Sequence, residues 1–299
     1  MGAQLRVVRR RIRSVQSTKK ITRAMELIAS SRIVKAQQRV EASRPYAVQL
    51  TAAMEDIARQ TGSVAHPLLE ERESPTRIGV LIVTSDRGLA GSYNANVLKV
   101  GEELLKDVAR RGLEPVVYVI GKKGVGYFRF RGVPMKGEWQ GFSEVPPYEK
   151  AEVVGRKLIA DFADGEIDEL HCAYTDFRSA FTLRATAKRF LPIAHEEVHG
   201  AGVEAVPAEY LFEPEPAEIL DHLLPQYVVT KVYAALLESA ASENASRRRA
   251  MKAATDNAED LIKDYTRRAN AARQAEITQE ISEIVGGADA LAATGSDDY

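Results

Sequence analysis

The residues whose spacing most resembles catalytic machinery are His195, Glu196 and His199, in the run His195-Glu-Glu-Val-His199. Two histidines four apart share one face of a helix and hold Zn2+, with the glutamate as general base on a bound water. That chemistry needs a stable helix, yet Pro192 precedes the motif and Gly200 and Gly202 follow it. One zinc-protease class takes a third histidine at position 205, which is Ala205, whereas Glu218 stands at a spacing used by another class. The competing reading is a polar loop at a strand end. Two glycine turns suggest phosphate chemistry instead. Gly88-Leu-Ala-Gly91-Ser92 and Gly121-Lys-Lys-Gly124 each follow an apolar run and precede a helical one. Neither matches G-x-G-x-x-G or a P-loop, so tight strand-to-helix turns explain them as well. The single cysteine, Cys172, lies in an apolar run, cannot form an internal disulfide and reads as a buried structural thiol.

The elements that would have to position these groups fall into an unusual order. Gln226 to Val285 contains no Gly or Pro, and helix-forming residues dominate it. Ala254, Ala258, Leu261, Tyr265, Ala269 and Ala272 recur in steps of four and three, followed by Ile277, Ile281 and Ile284. This is a coiled-coil seam built largely of alanine, and Gly286-Gly287 is the expected stop. A matching seam opens the chain with Leu5, Val8, Ile12, Val15, Met25 and Ala29, where Thr18 and Thr22 fill the gap. After a short slip it resumes as Ala36, Val40, Ser43, Ala47, Leu50, Met54 and Ile57, with Pro45 expected to kink or restart the helix and Gly62 to end it. Two long seams at opposite ends predict an antiparallel helix pair; two separate helices of a bundle are the alternative.

Between them lies an alternating pattern. Arg77–Thr84, Pro115–Ile120 and Glu169–Asp176 read as buried strands and Leu183–Ile193 as a fourth, with helices at about 92–110, after Gly124, and at 149–162. The fold class expected is therefore a small α/β domain with a mostly parallel sheet, plus a long antiparallel α-helical coiled coil from the N- and C-terminal helices. The corresponding division is 1–62 helix, 63–76 connector, 77–202 α/β domain, 203–217 connector, 218–287 helix and 288–299 tail.

Formal net charge is only −1, but residues 1–39 carry eleven Lys or Arg against one acid, Glu26. An Arg-rich, acid-poor start suits a transit peptide, an anionic membrane, a nucleic acid or an acidic protein partner. The absence of any aromatic residue before Tyr46 weakens base stacking. No run of 18 apolar residues occurs anywhere in the chain.

Three motifs now converge on one family. Ile12-Arg-Ser-Val-Gln-Ser-Thr-Lys-Lys-Ile-Thr-Arg-Ala-Met-Glu-Leu27, Ala253-Ala-Thr-Asp-Asn257 and Ala272-Arg-Gln-Ala-Glu-Ile-Thr-Gln-Glu-Ile-Ser-Glu-Ile-Val-Gly-Gly287 resemble the gamma subunit of F-type ATP synthases, bacterial type. The resemblance covers nearly the whole chain. It implies a non-catalytic rotor without cofactor, metal or nucleic acid. Its coiled coil would stand inside a ring of alpha and beta subunits, and its α/β domain would meet the epsilon subunit and the c-subunit ring. It implies that Met25 lies near an acidic lever of a beta subunit, and that Arg247, Gln274 and Thr278 contact a beta subunit. The triplet Arg247-Arg248-Arg249 is more basic than the family pattern, and the paired regulatory cysteines of the chloroplast form are absent. With no presequence before the signature helix, the expected location is the cytoplasmic side of a bacterial cell membrane, held there peripherally through the complex.

Overall fold

The computed structural model describes residues 3–61, 66–179, 182–194 and 215–294. Its elements in chain order are α1 (Ala3–Thr61), β1 (Arg77–Val83), α2 (Tyr93–Arg110), β2 (Glu114–Ile120), α3 (Lys122–Phe130), β3 (Gly137–Trp139), α4 (Tyr148–Ala163), β4 (Glu169–Phe177), β5 (Leu183–Leu191) and α5 (Pro216–Thr294). Two compact units result: a helical unit of Met1–Ile28 with Arg249–Tyr299, and an α/β unit of Ala29–Arg248.

In the α/β unit, one five-stranded sheet runs β3-β2-β1-β4-β5. The first three pairings are parallel and only β4–β5 is antiparallel, in agreement with the mostly parallel sheet expected. The central strand β1 is buried on both faces because each face is covered. Leu81 and Val83 join α4, the early turns of α5 (Leu220 to Leu236) and the last turns of α1 in one apolar cluster; Ile78, Val80 and Ile82 join α2 and α3 in the other. Gly101 lets α2 sit close on the sheet, since a Cβ there would fall 2.7 Å from Ile82 Cδ1. The short edge strand β3 was not expected. Gly137 and Trp139 are half-buried and Glu138 is exposed, and no apolar run announces them.

The same unit encloses part of α5 completely. Ser239 through Arg247 are nine consecutive buried residues, so no face of the helix meets water there. Alanine and serine make the close fit possible, and the serines bond the sheet: Ser242 Oγ donates to Thr175 O at 3.3 Å, and Thr175 N donates to Ser239 Oγ at 3.4 Å. One turn earlier, Glu238 meets Asp176 at the end of β4. Burial, then the like charge of Asp176, pushes the Glu238 carboxyl up to about 7 against the pull of Lys188.

In the helical unit the heptad holds without a break. The covered positions of α1 are Leu5, Val8, Ile12, Val15, Lys19, Thr22 and Glu26, and beyond this unit the helix continues the same alternation through Ala29, Ile33, Ala36, Val40, Ser43, Ala47, Leu50, Met54 and Ile57. The slip expected from the sequence is absent; it came from Lys19 and Glu26, polar residues occupying seam positions. Thr18 is exposed and donates to Ser14 O, and Met25 is half-buried beside the seam. The helix also passes through Pro45, which is exposed, so water meets the carbonyl its missing N–H leaves unpaired.

On α5 the covered positions are Met251, Thr255, Ala258, Ile262, Tyr265, Ala269, Ala272 and Glu276. Leu261, expected in the seam, is 46% exposed. Three contacts fix the register. Thr22 and Thr255 share a buried hydroxyl–hydroxyl bond of 2.7 Å, Lys19 Nζ reaches Glu259 Oε2 at 3.1 Å, and Leu5 lines one cavity with Ala272. In each pair the residue numbers add to 277 or 278, so the helices are antiparallel without drift. That register takes the described part of α1 no further than about residue 274 of α5. Ile277, Ile281 and Ile284 lie beyond it and are 45%, 56% and 71% exposed. Nor does α5 stop at Gly286-Gly287; it runs to Thr294. Two helical glycines cost about 1 kcal/mol each, which the alanine-rich sequence after them partly offsets.

Two outcomes follow from these contacts. Ile262→Asp lowers the thermal stability of the full chain by at least about 2 kcal/mol, whereas Leu261→Asp stays within about 0.5 kcal/mol, both read by circular dichroism melts. Equal melts would move the seam. Glu238 binds its proton more tightly folded than unfolded, so its contribution is full in acid and is lost as pH rises from the ordinary carboxylic range to about 7. Glu238→Gln therefore flattens the decline of melting temperature over that window, and an unchanged profile would remove Glu238 as its cause.

Candidate functional site

The sequence-derived site residues divide between the two units. Gln274 and Thr278 sit one turn apart on the exposed face of α5, and the Thr278 hydroxyl donates to Gln274 O at 3.0 Å. Its lone pairs and the whole Gln274 amide remain for a partner. Met25 lies in the same unit at a different level. By the register it faces about residue 252 of α5, some 33 Å along the helix from Gln274. Around Met25, α1 presents Ile21, Leu27 and Ile28 to solvent at 57%, 58% and 53% exposure, interleaved with exposed Lys20 and Arg23. Arg6, Arg10, Arg11 and Arg13 extend the basic surface toward the N-terminus. An apolar stripe bordered by cations fits an amphipathic, acidic partner surface.

Arg247 belongs to the α/β unit and is buried, with only 5% of its side chain exposed. Its guanidinium meets Glu243 at 2.6 Å, Gly88 O at 3.3 Å, Asn244 Oδ1 at 3.4 Å and Glu144 at 3.5 Å. The other Glu144 oxygen takes Arg32 from α1 and Arg87 from the loop after β1. Burial pushes the Glu243 carboxyl up, against the opposing pull of Arg247. This network ties α1, the loop after β1, the loop before α4 and α5 to one another. Sequence reading singled out Arg247 alone. The available signal was the four-residue step from Glu243 to Arg247 inside an Ala/Ser-rich run, which is a helical ion-pair spacing. Arg248 is half-buried and Arg249 exposed.

Both glycine turns are filled by the chain itself. At the start of α3, Asp86 Oδ1 accepts Lys122 N at 3.1 Å, Ser85 O accepts Lys123 N at 3.0 Å, and Thr84 Oγ1 accepts Gly124 N at 2.9 Å. Asp86 thus stands where a phosphate would. Burial acts to raise its carboxyl, but the amides of Ser143, Gly141 and Lys122 outweigh it and hold the group below the usual range. Gly121 has φ +97°, and a Cβ there would fall 2.3 Å from Thr84 O, so the turn admits glycine only. In the other turn, Gly88 O is taken by Arg247, and Leu89, at φ +59°, is turned out to 62% exposure. The crevice between the ends of β1 and β4, where open α/β sheets usually take ligands, holds α5.

His195, Glu196 and His199 lie outside the described residues, as do Gly62 and most of 203–217. Among the described residues, no group of three or more His, Cys, Asp or Glu could hold a metal ion. Among them also, no helix is long and apolar enough to cross a membrane. Cys172 is buried, and burial raises its thiol well above the ordinary range, so it is inert.

Comparison with known proteins agrees with this geometry. The family model described as ATP synthase matches residues 4–291. The ATP synthase gamma chain of Acidothermus cellulolyticus is 60% identical over 301 residues, covering 99% of this chain and 100% of that one. The gamma chain of Thermobifida fusca is 53% identical, covering 99% of both. Among solved structures, the central stalk and c-ring of the Tetrahymena thermophila mitochondrial ATP synthase contains a chain 25% identical with a TM-score of 0.56, covering 78% of this chain and 99% of that one. A chain of the Euglena gracilis mitochondrial enzyme shares the fold at 15% identity, with a TM-score of 0.68 and coverage of 100% and 98%. An unbroken antiparallel pair, a mostly parallel sheet and matches of this extent lead to one conclusion: the chain belongs to the ATP synthase gamma chain family.

Proposed function

We propose that this chain is the central-stalk rotor of an F-type ATP synthase, a subunit without catalysis of its own that couples rotation of a c ring to the conformational cycle of the beta subunits. The observation that carries the reading is the helical unit. An antiparallel pair ends in a single helix with outward isoleucines, and one face of α1 is basic and apolar together. A rod of this kind inside a three-fold ring presents a different face to each identical neighbour. Each beta subunit then settles into a different conformation, and coupling works only through those differential contacts. The isoleucines suit an apolar collar, which demands no directional bonds.

The partners are then the alpha and beta subunits around the helices and the epsilon subunit and c ring below. The chain works peripherally at the cytoplasmic side of a cell membrane, bound there through the complex. Met25 is assigned to the acidic lever of a beta subunit, and Gln274 and Thr278 to a second beta contact, for which their free polar groups are suited. The same resemblance assigns Arg247 to a beta contact, and its burial means such a contact exchanges bonds to Glu243 and Gly88 for new ones.

Co-purification tests the reading as a whole: the chain comes out of membranes with stoichiometric alpha and beta subunits, and recovery free of both would refute it. Met25→Lys places a charge beside the lever worth about 1 kcal/mol in water and about 4 kcal/mol near a protein surface. It leaves assembly intact but lowers ATP-driven acidification of inverted vesicles per ATP hydrolysed, while Met25→Leu behaves as the parent. Equal efficiencies would remove charge from the coupling at this position. Arg247→Ala strands the buried Glu243, while Glu144 keeps Arg32 and Arg87, and lowers the stability of the full chain by about 3–5 kcal/mol. A loss below about 1 kcal/mol would show the network to be dispensable.

A further inference from the structure

Two faces of the helical unit are left uncovered by the chain itself, and they complement each other. The first is the outer side of α1, opposite its own seam. Val7, Ser14, Ile21 and Ile28 recur there every seventh residue, with Arg10, Ser17 and Ala24 between them, and all are exposed. This is a second four-three pattern, apolar or small everywhere except at Arg10. Cations flank it: eight Lys or Arg stand between Ala3 and Met25, and no acid precedes Glu26. Among the described residues, Arg6, Arg10, Arg11 and Arg13 make no ion pair.

The second face is on the stretch of α5 that α1 does not reach. Ile277, Ile281, Ile284 and Val285 share one side of that helix and are all exposed. Glu276, Glu280 and Glu283 line one flank of the stripe and Thr278 and Ser282 the other, while no Lys or Arg follows Arg273. An apolar stripe edged with acids matches an apolar stripe edged with cations. The chain cannot supply that match to itself, because α5 continues as one helix through Gly286-Gly287 to Thr294, away from α1.

The lengths agree as well. By the antiparallel register the overhang begins after about residue 274, level with the start of α1, and its roughly 20 residues span about 30 Å. The outer pattern of α1 runs about as far in the opposite direction from the same level. Inverting one copy on another, with both α1 starts level, lays each overhang along the other copy's α1. The two contacts are identical and related by a two-fold axis. Glu280 and Glu283 then come beside the arginine-rich first turns of that helix. Other occupants satisfy one face only. An acidic partner would cover α1 and leave the isoleucines in water, and a basic helix would do the reverse. Two overhangs paired with each other would set glutamates against glutamates.

We propose that, outside any larger complex, this chain forms a two-fold dimer in which the acidic, isoleucine-bearing end of α5 packs on the basic outer face of the second copy's α1. Such a dimer hides both exposed faces of an unassembled chain. The proposal does not rest on the rotor reading. Within the complex proposed above, the same faces belong to other subunits, and the dimer gives way to them.

The test is sedimentation equilibrium of the purified full chain. The chain is a dimer at micromolar concentration, and raising salt from about 0.1 to about 0.5 M weakens the dimer at least about fivefold. One variant reverses the overhang, Glu280→Arg with Glu283→Arg, and a second reverses α1, Arg10→Glu with Arg13→Glu. Each alone dimerises at least about tenfold more weakly than the parent, since like charges meet in both contacts. Mixed one to one, the two variants form a heterodimer within about threefold of the parent affinity, because opposite charges meet again in both contacts. That rescue also shows both variants to be folded. A parent chain monomeric up to about 100 μM, a dimer indifferent to either reversal, or a mixture that stays monomeric would each overturn the proposal. None of these results would alter the outcome of co-purification with alpha and beta subunits.

Discussion

The structure depends on a helix threaded through an α/β domain with no face left for water. A segment buried on every side must be narrow, which excludes most apolar residues, and it must neutralise whatever charge it carries. Ser239 to Arg247 meets both demands. Its small side chains admit the sheet on one side, and Arg247 answers Glu243 and Glu144 at once. Breaking one partner would leave an uncompensated charge in a medium that screens poorly. The filled switch-point crevice, the occupied turns and the bracing of the loops follow from this threading. The end of the parallel sheet, where such sheets usually take ligands, has thereby become a socket for the chain's own C-terminal helix.

The helical unit solves a different problem. A seam of alanine packs closely but holds register weakly, because one alanine resembles the next. Polar residues in the seam supply what alanine lacks. Thr22 and Thr255 satisfy each other only when aligned, and Lys19 with Glu259 reinforces the same alignment. Sliding by a heptad would break this buried hydroxyl–hydroxyl bond and leave each threonine only the carbonyl of its own helix, Lys19 O and Met251 O. Stability is given up at two seam positions, and a single register is gained.

Much of this was legible in the chain. Buried strands announce themselves as unbroken apolar runs, so β1, β2 and β4 were found, and the two long seams predicted their antiparallel pairing. The misses share one cause, a preference for apolar residues over geometry. Leu261 is apolar and four-three spacing from Ala254 admits it, yet the unbroken step in the structure selects Thr255, Ala258 and Ile262. The supposed slip in α1 came from passing over Lys19 and Glu26 for the same reason. Gly286-Gly287 looked like a stop because glycine permits one, although nothing there requires it. Strand β3 has too little apolar content to be read at all. The network around Arg247 joins segments more than 200 residues apart in sequence, from Arg32 to Arg247, and no local pattern reveals such a meeting. The roles assigned to Met25, Gln274 and Thr278 came from resemblance alone, since contacts with another chain leave no periodicity in this one.

The overhang of α5 beyond its partner carries a mechanical consequence. Two helices locked in register resist twisting as a pair, because each would have to slide along the other. Where α1 no longer accompanies it, α5 resists twisting alone, with only its own hydrogen-bond ladder. The transition near residue 274 is therefore a step in torsional stiffness, stiffer where the two helices are paired and compliant toward the C-terminal end of α5. A load applied along this shaft would wind the compliant part first, storing elastic energy there as a spring does.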